Sequence, residues 1–135
     1  MSNTVITQAD LTVYEGGTLD IQFQWKIDDI VVSLLNKTAL MIVRKKITDS
    51  DPPLLTIPYN PYPWVPENPT GIYFMNSNTG NDTYKIYISN KDTTGICGIH
   101  HKNIFGRYNL FIYNQSGETS LNQYGAINIL ATVIR

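Results

Sequence analysis

The chain has 135 residues, enough for one domain with a hydrophobic core, and its 42% of hydrophobic against 16% of charged residues argues against a disordered chain. The net charge of −1 excludes the strongly basic surface of a nucleic-acid binder or a membrane-surface protein. The single cysteine excludes an intrachain disulfide, and no apolar run approaches the roughly 18 residues of a membrane span. The N-terminus lacks the basic and apolar regions of a secretory signal, so we expect a protein made in a cytoplasm.

Alternation of apolar and polar residues dominates the first part of the chain and predicts β-strands. Residues 11–15 form a first strand, which ends in a turn at the glycine pair 16–17. Residues 19–26 alternate without a fault, so their large apolar side chains share one face and their polar side chains share the other. A turn at residues 27–29 leads to a short strand that starts at Ile30.

The strand predicted for residues 38–45 carries apolar side chains on both faces. Its inner face is expected to hold Ala39, Met41 and Val43. Leu40 and Ile42 occupy the opposite face. Because a sandwich buries only one face of each sheet, this second face is expected either to be covered by loops of the same chain or to form a subunit contact.

Residues 54–57 are predicted to form a short edge-like strand, because a proline follows at once and cannot donate to a ladder. Five of the seven prolines lie in the next segment, residues 58–69, which is expected to be an extended loop. Its aromatic residues Tyr59, Tyr62 and Trp64 have three interpretations: anchors in a protein interface, rings folded back over the sandwich edge, or a platform for sugar stacking.

The second half of the chain repeats the alternating pattern. Strands are predicted at residues 71–75, 83–89, 106–113 and 125–133, with a short helical turn capped by Asn90 between the second and the third. Such a series of about seven or eight short strands indicates a single all-β domain, an antiparallel two-sheet sandwich that spans the chain.

The predicted inner faces share one parity in each strand, and their residues are Leu19, Ile21, Phe23, Trp25, Ala39, Met41, Val43, Tyr84, Ile86, Tyr108, Leu110, Ile112, Ile127 and Ile129. Tyr108, near the start of a late strand, is predicted to hold a crossing segment through its hydroxyl, as in the tyrosine corner of sandwich folds. Phe111 and Tyr113 point the opposite way from their neighbours and add to the outward apolar surface.

A series of short motifs, in the same order along nearly the whole chain, resembles the immunoglobulin-like domain that is common in tailed bacteriophages. The motifs are Leu11-Thr-Val-Tyr-Glu-Gly-Gly-Thr-Leu-Asp-Ile-Gln-Phe-Gln-Trp25, Val32-Ser-Leu34, Ala39-Leu-Met-Ile-Val-Arg44, Gly71-Ile72, Ile88-Ser-Asn-Lys-Asp-Thr93, Gly106-Arg-Tyr-Asn-Leu110 and Gly125-Ala-Ile-Asn-Ile129. The chain is similar in this respect to the N-terminal module of phage baseplate upper proteins. The resemblance implies an immunoglobulin-like sandwich.

The resemblance also implies a non-enzymatic structural component of a tailed-phage virion, in the tail, neck or baseplate, assembled in the host cytoplasm. The expected partners are other virion proteins and copies of the chain itself, without nucleic acid, membrane or cofactor. A carbohydrate-binding or host-adhesion module that uses the proline-aromatic loop is the alternative. The interface candidates are Tyr59, Tyr62, Trp64, Leu40, Ile42, Phe111 and Tyr113.

Candidate groups for metal binding or catalysis are few. Cys97, His100 and His101 are metal-ligand types, but a closed zinc site needs more ligands than this cluster offers, so we predict no metal site. The aspartate pairs at residues 28–29 and 49/51 fall in predicted turns, where aspartate forms local hydrogen bonds. No nucleophile elbow, phosphate loop or His-Glu motif is present, so no catalytic residue is predicted.

Overall fold

The chain is almost entirely β-structure, which confirms the predicted all-β class. The computed structural model describes residues 5–27, 30–45, 52–77 and 80–132, so the predicted aspartate pairs at 28–29 and 49/51 lie outside the described residues. The strands are β1 (Val5–Gln8), β2 (Leu11–Tyr14), β3 (Leu19–Gln24), β4 (Lys26–Ile27), β5 (Ile30–Val31), β6 (Thr38–Arg44), β7 (Leu55–Asn60), β8 (Gly71–Ser77), β9 (Gly80–Ile88), β10 (Ile104–Tyr113) and β11 (Thr119–Leu130). Within the described ranges, the one helix is α1 (Asn90–Thr93).

Nine strands form one curled, mixed sheet. One half contains β1, β2, β11, β10 and β6, the other contains β8, β9 and β3, and β7 connects them. The order is β1-β11-β10-β6-β7-β8-β9-β3, and β2 also pairs with β11, whereas β4 and β5 form a separate ribbon. The pairs β1–β11, β2–β11 and β7–β8 are parallel, and the other pairs are antiparallel. The sequence predicts antiparallel pairing throughout, so the three parallel pairs, two along the N-terminal edge and one at the end of β7, differ from the prediction.

Strand β7 joins the two halves of the sheet. Residues 55–58 pair antiparallel with β6, and then Tyr59 and Asn60 pair in parallel with β8. Pro58 has no N–H, and it stands where the strand changes partner. Residues 55–58 therefore have a single partner strand, β6, which agrees with the edge-like strand predicted for residues 54–57, and β7 lies between β6 and β8 only because it changes partner after Pro58.

Strands β1 and β2 form one interrupted edge strand that runs parallel to β11 with a constant register offset. Between them, the Ala9 carbonyl leaves the edge and accepts the hydroxyl hydrogen of Tyr108 at 2.6 Å. The Asp10 carboxylate takes over the ladder position by accepting a hydrogen bond from the Ala126 N–H at 3.0 Å. Tyr108 therefore holds a crossing segment through its hydroxyl, as the sequence predicts. Strand β1 lies before the first predicted strand and was not predicted.

One cluster of buried side chains draws on both halves of the sheet. All of the predicted inner-face residues are buried except Ile21 and Phe23, which pack against the cluster but remain partly exposed. Both of these residues lie on β3, the last strand on its side of the sheet, where no neighbouring strand among the described residues covers them.

A chain of buried hydrogen bonds crosses the core between the halves. The Ala9 carbonyl can only accept, so the Tyr108 hydroxyl donates to it, and the Tyr108 oxygen accepts from Gln123 Nε2 at 3.0 Å. Gln123 Oε1 is then left to accept the hydroxyl hydrogen of Tyr84 on β9. Burial raises the pKa of both tyrosines, so the hydroxyls stay protonated donors.

Two element boundaries differ from the prediction because of local capping and turn chemistry. The side chain of Ser89, and not that of Asn90, caps α1 by accepting from the Lys91 N–H at 3.3 Å. Strand β11 begins at Thr119, several residues before the predicted start, because the Asn114 carboxamide oxygen closes a tight turn by accepting from the Glu118 N–H at 3.0 Å.

We predict that Gly125→Ala strongly destabilises the fold. A Cβ at Gly125 would lie 2.1 Å from the Ala9 carbonyl oxygen, which cannot move without losing its bond to Tyr108. We expect a loss of at least about 3 kcal/mol in the free energy of unfolding in urea.

Gly17→Ala is the matched control, because its Cβ would meet the Tyr14 carbonyl oxygen at the milder distance of 3.1 Å. We expect a loss below about 1 kcal/mol for this variant. Equal losses for the two variants would contradict the close crossing over Gly125.

Candidate interaction surfaces

The outer face of β6 and β10 carries an apolar row. Leu40 lies opposite Phe111 across the β6–β10 ladder, and Pro58 on β7 extends the row on the other side of Leu40. The rings of Phe111 and Tyr113 stack with centroids 6.1 Å apart. Leu40, Ile42, Phe111 and Tyr113 are half-buried, and Pro58 is exposed. Four of the predicted interface candidates therefore lie together on one surface, which we call the β6–β10 face.

A polar atom at the margin of the β6–β10 face has no hydrogen-bond partner. Asn122 lies opposite Phe111 across the β10–β11 ladder. Its Oδ1 is buried and accepts no hydrogen bond within the part of the chain that the structure describes. A buried acceptor without a hydrogen bond lowers the free energy of unfolding by about 1–3 kcal/mol, so the Asn122 side chain destabilises the fold at this margin of the face.

The proline-aromatic segment does not gather its three aromatic residues into one platform. Tyr59 belongs to β7 and packs on Phe74 with ring centroids 4.7 Å apart. Trp64 folds back on the sheet and contacts Tyr73 at 5.3 Å and Tyr87 at 4.5 Å between ring centroids.

Tyr62 is 73% exposed and lines, with Trp64 and Phe74, an open cleft of about 360 Å³. For Trp64, the structure fits the interpretation of a ring folded back over the sheet. Tyr62 is the aromatic residue of this segment that remains available at the surface.

Trp64 also covers a buried lysine that the sequence analysis did not single out. Lys85 on β9 is only 4% exposed; its Nζ lies 2.9 Å from the Asp20 carboxylate and 4.0 Å from the centroid of the Trp64 ring. Both contacts compensate the ammonium group for its lost hydration. Strand β9 is therefore buried on both faces. Apolar residues on both faces of this strand, Ile86 and Tyr87 among them, were the available signal.

The Cys97 segment is held by Glu15, the residue that directly follows β2. The Cys97 N–H donates to Glu15 Oε2 at 2.8 Å, and His101 Nδ1 lies 3.7 Å from Glu15 Oε1. Burial, and then the nearby Glu15 carboxylate, raises the pKa of the Cys97 thiol, which disfavours a metal-binding thiolate. His100 is exposed and takes no part in these contacts with Glu15. Among the described residues, no three His, Cys, Asp or Glu side chains are placed to hold a metal ion.

The described ranges contain no helix that is long and apolar enough to cross a membrane. Neither a known protein-family model nor a curated protein matches the sequence. The resemblance to phage immunoglobulin-like domains therefore stays a prediction.

We predict that Trp64→Ala lowers the free energy of unfolding in urea by about 2–3 kcal/mol, because it uncovers Tyr73 and Tyr87 and removes the cation–π contact of Lys85. Tyr62→Ala, in the same segment, is the matched control and should change it by less than about 0.5 kcal/mol because Tyr62 is exposed. If both variants were as stable as the parent, Trp64 would not cover the sheet.

Proposed function

We propose that the chain is a non-enzymatic structural component of a tailed-phage virion, a connector or adaptor of the tail, neck or baseplate that acts through protein–protein contacts. The observation that carries the proposal is the apolar row on the β6–β10 face. The resemblance of the sequence motifs supplies the setting in which such a face would be used.

The β6–β10 face has the composition of a protein-binding surface. Its centre holds Phe111, Tyr113 and Leu40, and aromatic residues are the usual anchors at the centre of protein interfaces. Arg107 and Asn109, which also point outward from β10, are exposed and supply a polar margin. Adjacent strands of one sheet carry these side chains, so the surface is already formed before a partner binds.

The buried titratable groups of the described residues already have structural partners, which supports a non-enzymatic role. Lys85 is held by Asp20 and Trp64, and Glu15 accepts the Cys97 amide hydrogen. A catalytic group would instead need to face a space that a substrate can enter.

A carbohydrate-binding or host-adhesion module is the second candidate, favoured by the cleft that Tyr62 and Trp64 share. Sugar stacking needs an open ring face, and the Trp64 ring is engaged by Lys85, Tyr73 and Tyr87. Tyr62 alone offers a smaller platform. We therefore place this function second.

The test of the proposed function is mass spectrometry of density-purified phage particles beside the lysate from which they come. We expect peptides of the chain in the particles at a fixed ratio to the other structural proteins. Presence in the lysate with absence from the particles would overturn the virion role.

Phe111→Lys introduces a charge at the centre of the β6–β10 face and should reduce incorporation into particles at least about tenfold, since a buried unpaired charge is costly in an interface. Tyr14→Lys is the matched control, because Tyr14 is 60% exposed on β2 and lies outside the face. The sugar-binding candidate is tested on a glycan array, where binding that Trp64→Ala abolishes would favour it over the connector.

A further inference from the structure

A cleft of about 570 Å³ lies where the end of β6 meets the start of β10. Its walls are formed by Lys45, which directly follows β6, by residues of the loop 97–103, and by the first residues of β10, among them Phe105. A Cβ at Gly106 would lie 2.5 Å from the Arg44 carbonyl oxygen, so the end of β6 passes very close to β10. This close approach brings Lys45 and Phe105 to the same cleft.

The loop that forms one wall of the cleft is fixed at both of its ends. At one end the Cys97 N–H donates to Glu15 Oε2 at 2.8 Å, and at the other Asn103 Oδ1 accepts from the Ala131 N–H at 2.8 Å. A tight turn over residues 98–101 lies between these two points. The cleft is therefore formed in the free chain, so a ligand does not have to order the loop in order to bind.

The charged side chains that line the cleft are basic. Lys45 and Lys102 carry positive charge, His100 adds a hydrogen-bond donor, and no carboxylate among the described residues lines the cleft. Neither lysine has an ion pair or a hydrogen bond within the described ranges. The Glu15 carboxylate is buried and bonded to the loop backbone. Because the whole chain has a net charge of −1, this cleft is a local positive region, and such a region attracts a ligand of negative charge.

The same cleft exposes apolar side chains. Ile99 is 87% exposed and Phe105 is 69% exposed, and both line the cleft. Large apolar side chains that stand in water beside charged ones are typical of a surface that receives an apolar anchor from a protein partner. Since Lys45, His100 and Lys102 are also exposed, the cleft is open on its outer side. An open cleft suits a segment of a protein better than a small molecule, which binds where most of its surface is buried.

We propose that this cleft binds an acidic segment of a partner protein in which carboxylates flank an apolar side chain. The carboxylates contact the ammonium groups of Lys45 and Lys102, and the apolar side chain packs against Ile99 and Phe105. The cleft is separate from the β6–β10 face, because Phe105 lies about 20 Å from Phe111 along β10. The proposal does not depend on the virion role and goes beyond it.

The first test is an NMR titration of the full chain with the peptide Asp-Asp-Phe-Asp-Asp, with both ends blocked, in about 50 mM salt. We expect saturable shifts of the backbone amides of residues 98–105 and a Kd at or below about 1 mM. The peptide Asp-Asp-Ser-Asp-Asp lacks the apolar anchor and should bind at least about fivefold more weakly. The peptide Lys-Lys-Phe-Lys-Lys should not bind.

The second test compares two charge reversals. Lys102→Glu places a negative charge in the cleft and should weaken binding of Asp-Asp-Phe-Asp-Asp at least about tenfold. Lys91→Glu is the matched control, because it changes the net charge equally, and Lys91 is exposed on α1 outside the cleft. It should bind within about twofold of the parent. Phe105→Ser should remove most of the difference between the phenylalanine and serine peptides, which a general loss of affinity would not do.

Four results would overturn the proposal. The first is the absence of saturable shifts at about 5 mM peptide. The second is an equal effect of Lys102→Glu and Lys91→Glu, which would mean that only net charge matters. The third is binding of free glutamate as tight as that of the peptide, which would indicate a site for any small anion. The fourth is a shift of the same amides with protein concentration alone, which would indicate that a second copy of the chain fills the cleft.

Discussion

The hydrogen-bond chain from Tyr84 through Gln123 and Tyr108 to the Ala9 carbonyl fixes how the two halves of the sheet pack on each other. It connects β9 in one half of the curled sheet to β11 and β10 in the other, and it ties the interrupted N-terminal strand to both. The side chains of Tyr84, Gln123 and Tyr108 are buried, so a broken link between them leaves an unpaired group in a medium of low dielectric constant. Apolar packing alone tolerates small slips of one half against the other, whereas this chain of bonds accepts one arrangement.

The two halves of the sheet have different outer surfaces. The outer surface of β8 and β9 is covered by the chain itself, because Trp64 folds over Lys85 and Tyr87. The β6–β10 face has no such cover within the described residues, and Leu40 and Phe111 remain at its centre. A small domain with one self-covered side and one open apolar side is suited to contacts with other proteins, which is why we propose a structural role.

The sequence predicts the all-β class and nearly all of the core, because alternation reports directly which side of a strand is buried. It also predicts the role of the Tyr108 hydroxyl and the outward position of Phe111. It gives the folded-back ring as one of three interpretations of the proline-aromatic segment without selecting it for Trp64, and it misses the burial of Lys85, since both depend on where a loop returns in space. It also misses that β7 continues past Pro58 to pair with β8, because a change of partner strand leaves the same local pattern as the end of a strand.

The most direct test of this account is a double-mutant cycle on Tyr84→Phe and Tyr108→Phe, with the free energy of unfolding measured in urea. Each single variant should cost about 1–3 kcal/mol, because it leaves one side of the buried Gln123 carboxamide unpaired. Since both tyrosines bond to the same carboxamide, the cost of the double variant should differ from the sum of the single costs by at least about 0.5 kcal/mol. Additive costs within about 0.3 kcal/mol would contradict a connected chain of hydrogen bonds between the two halves.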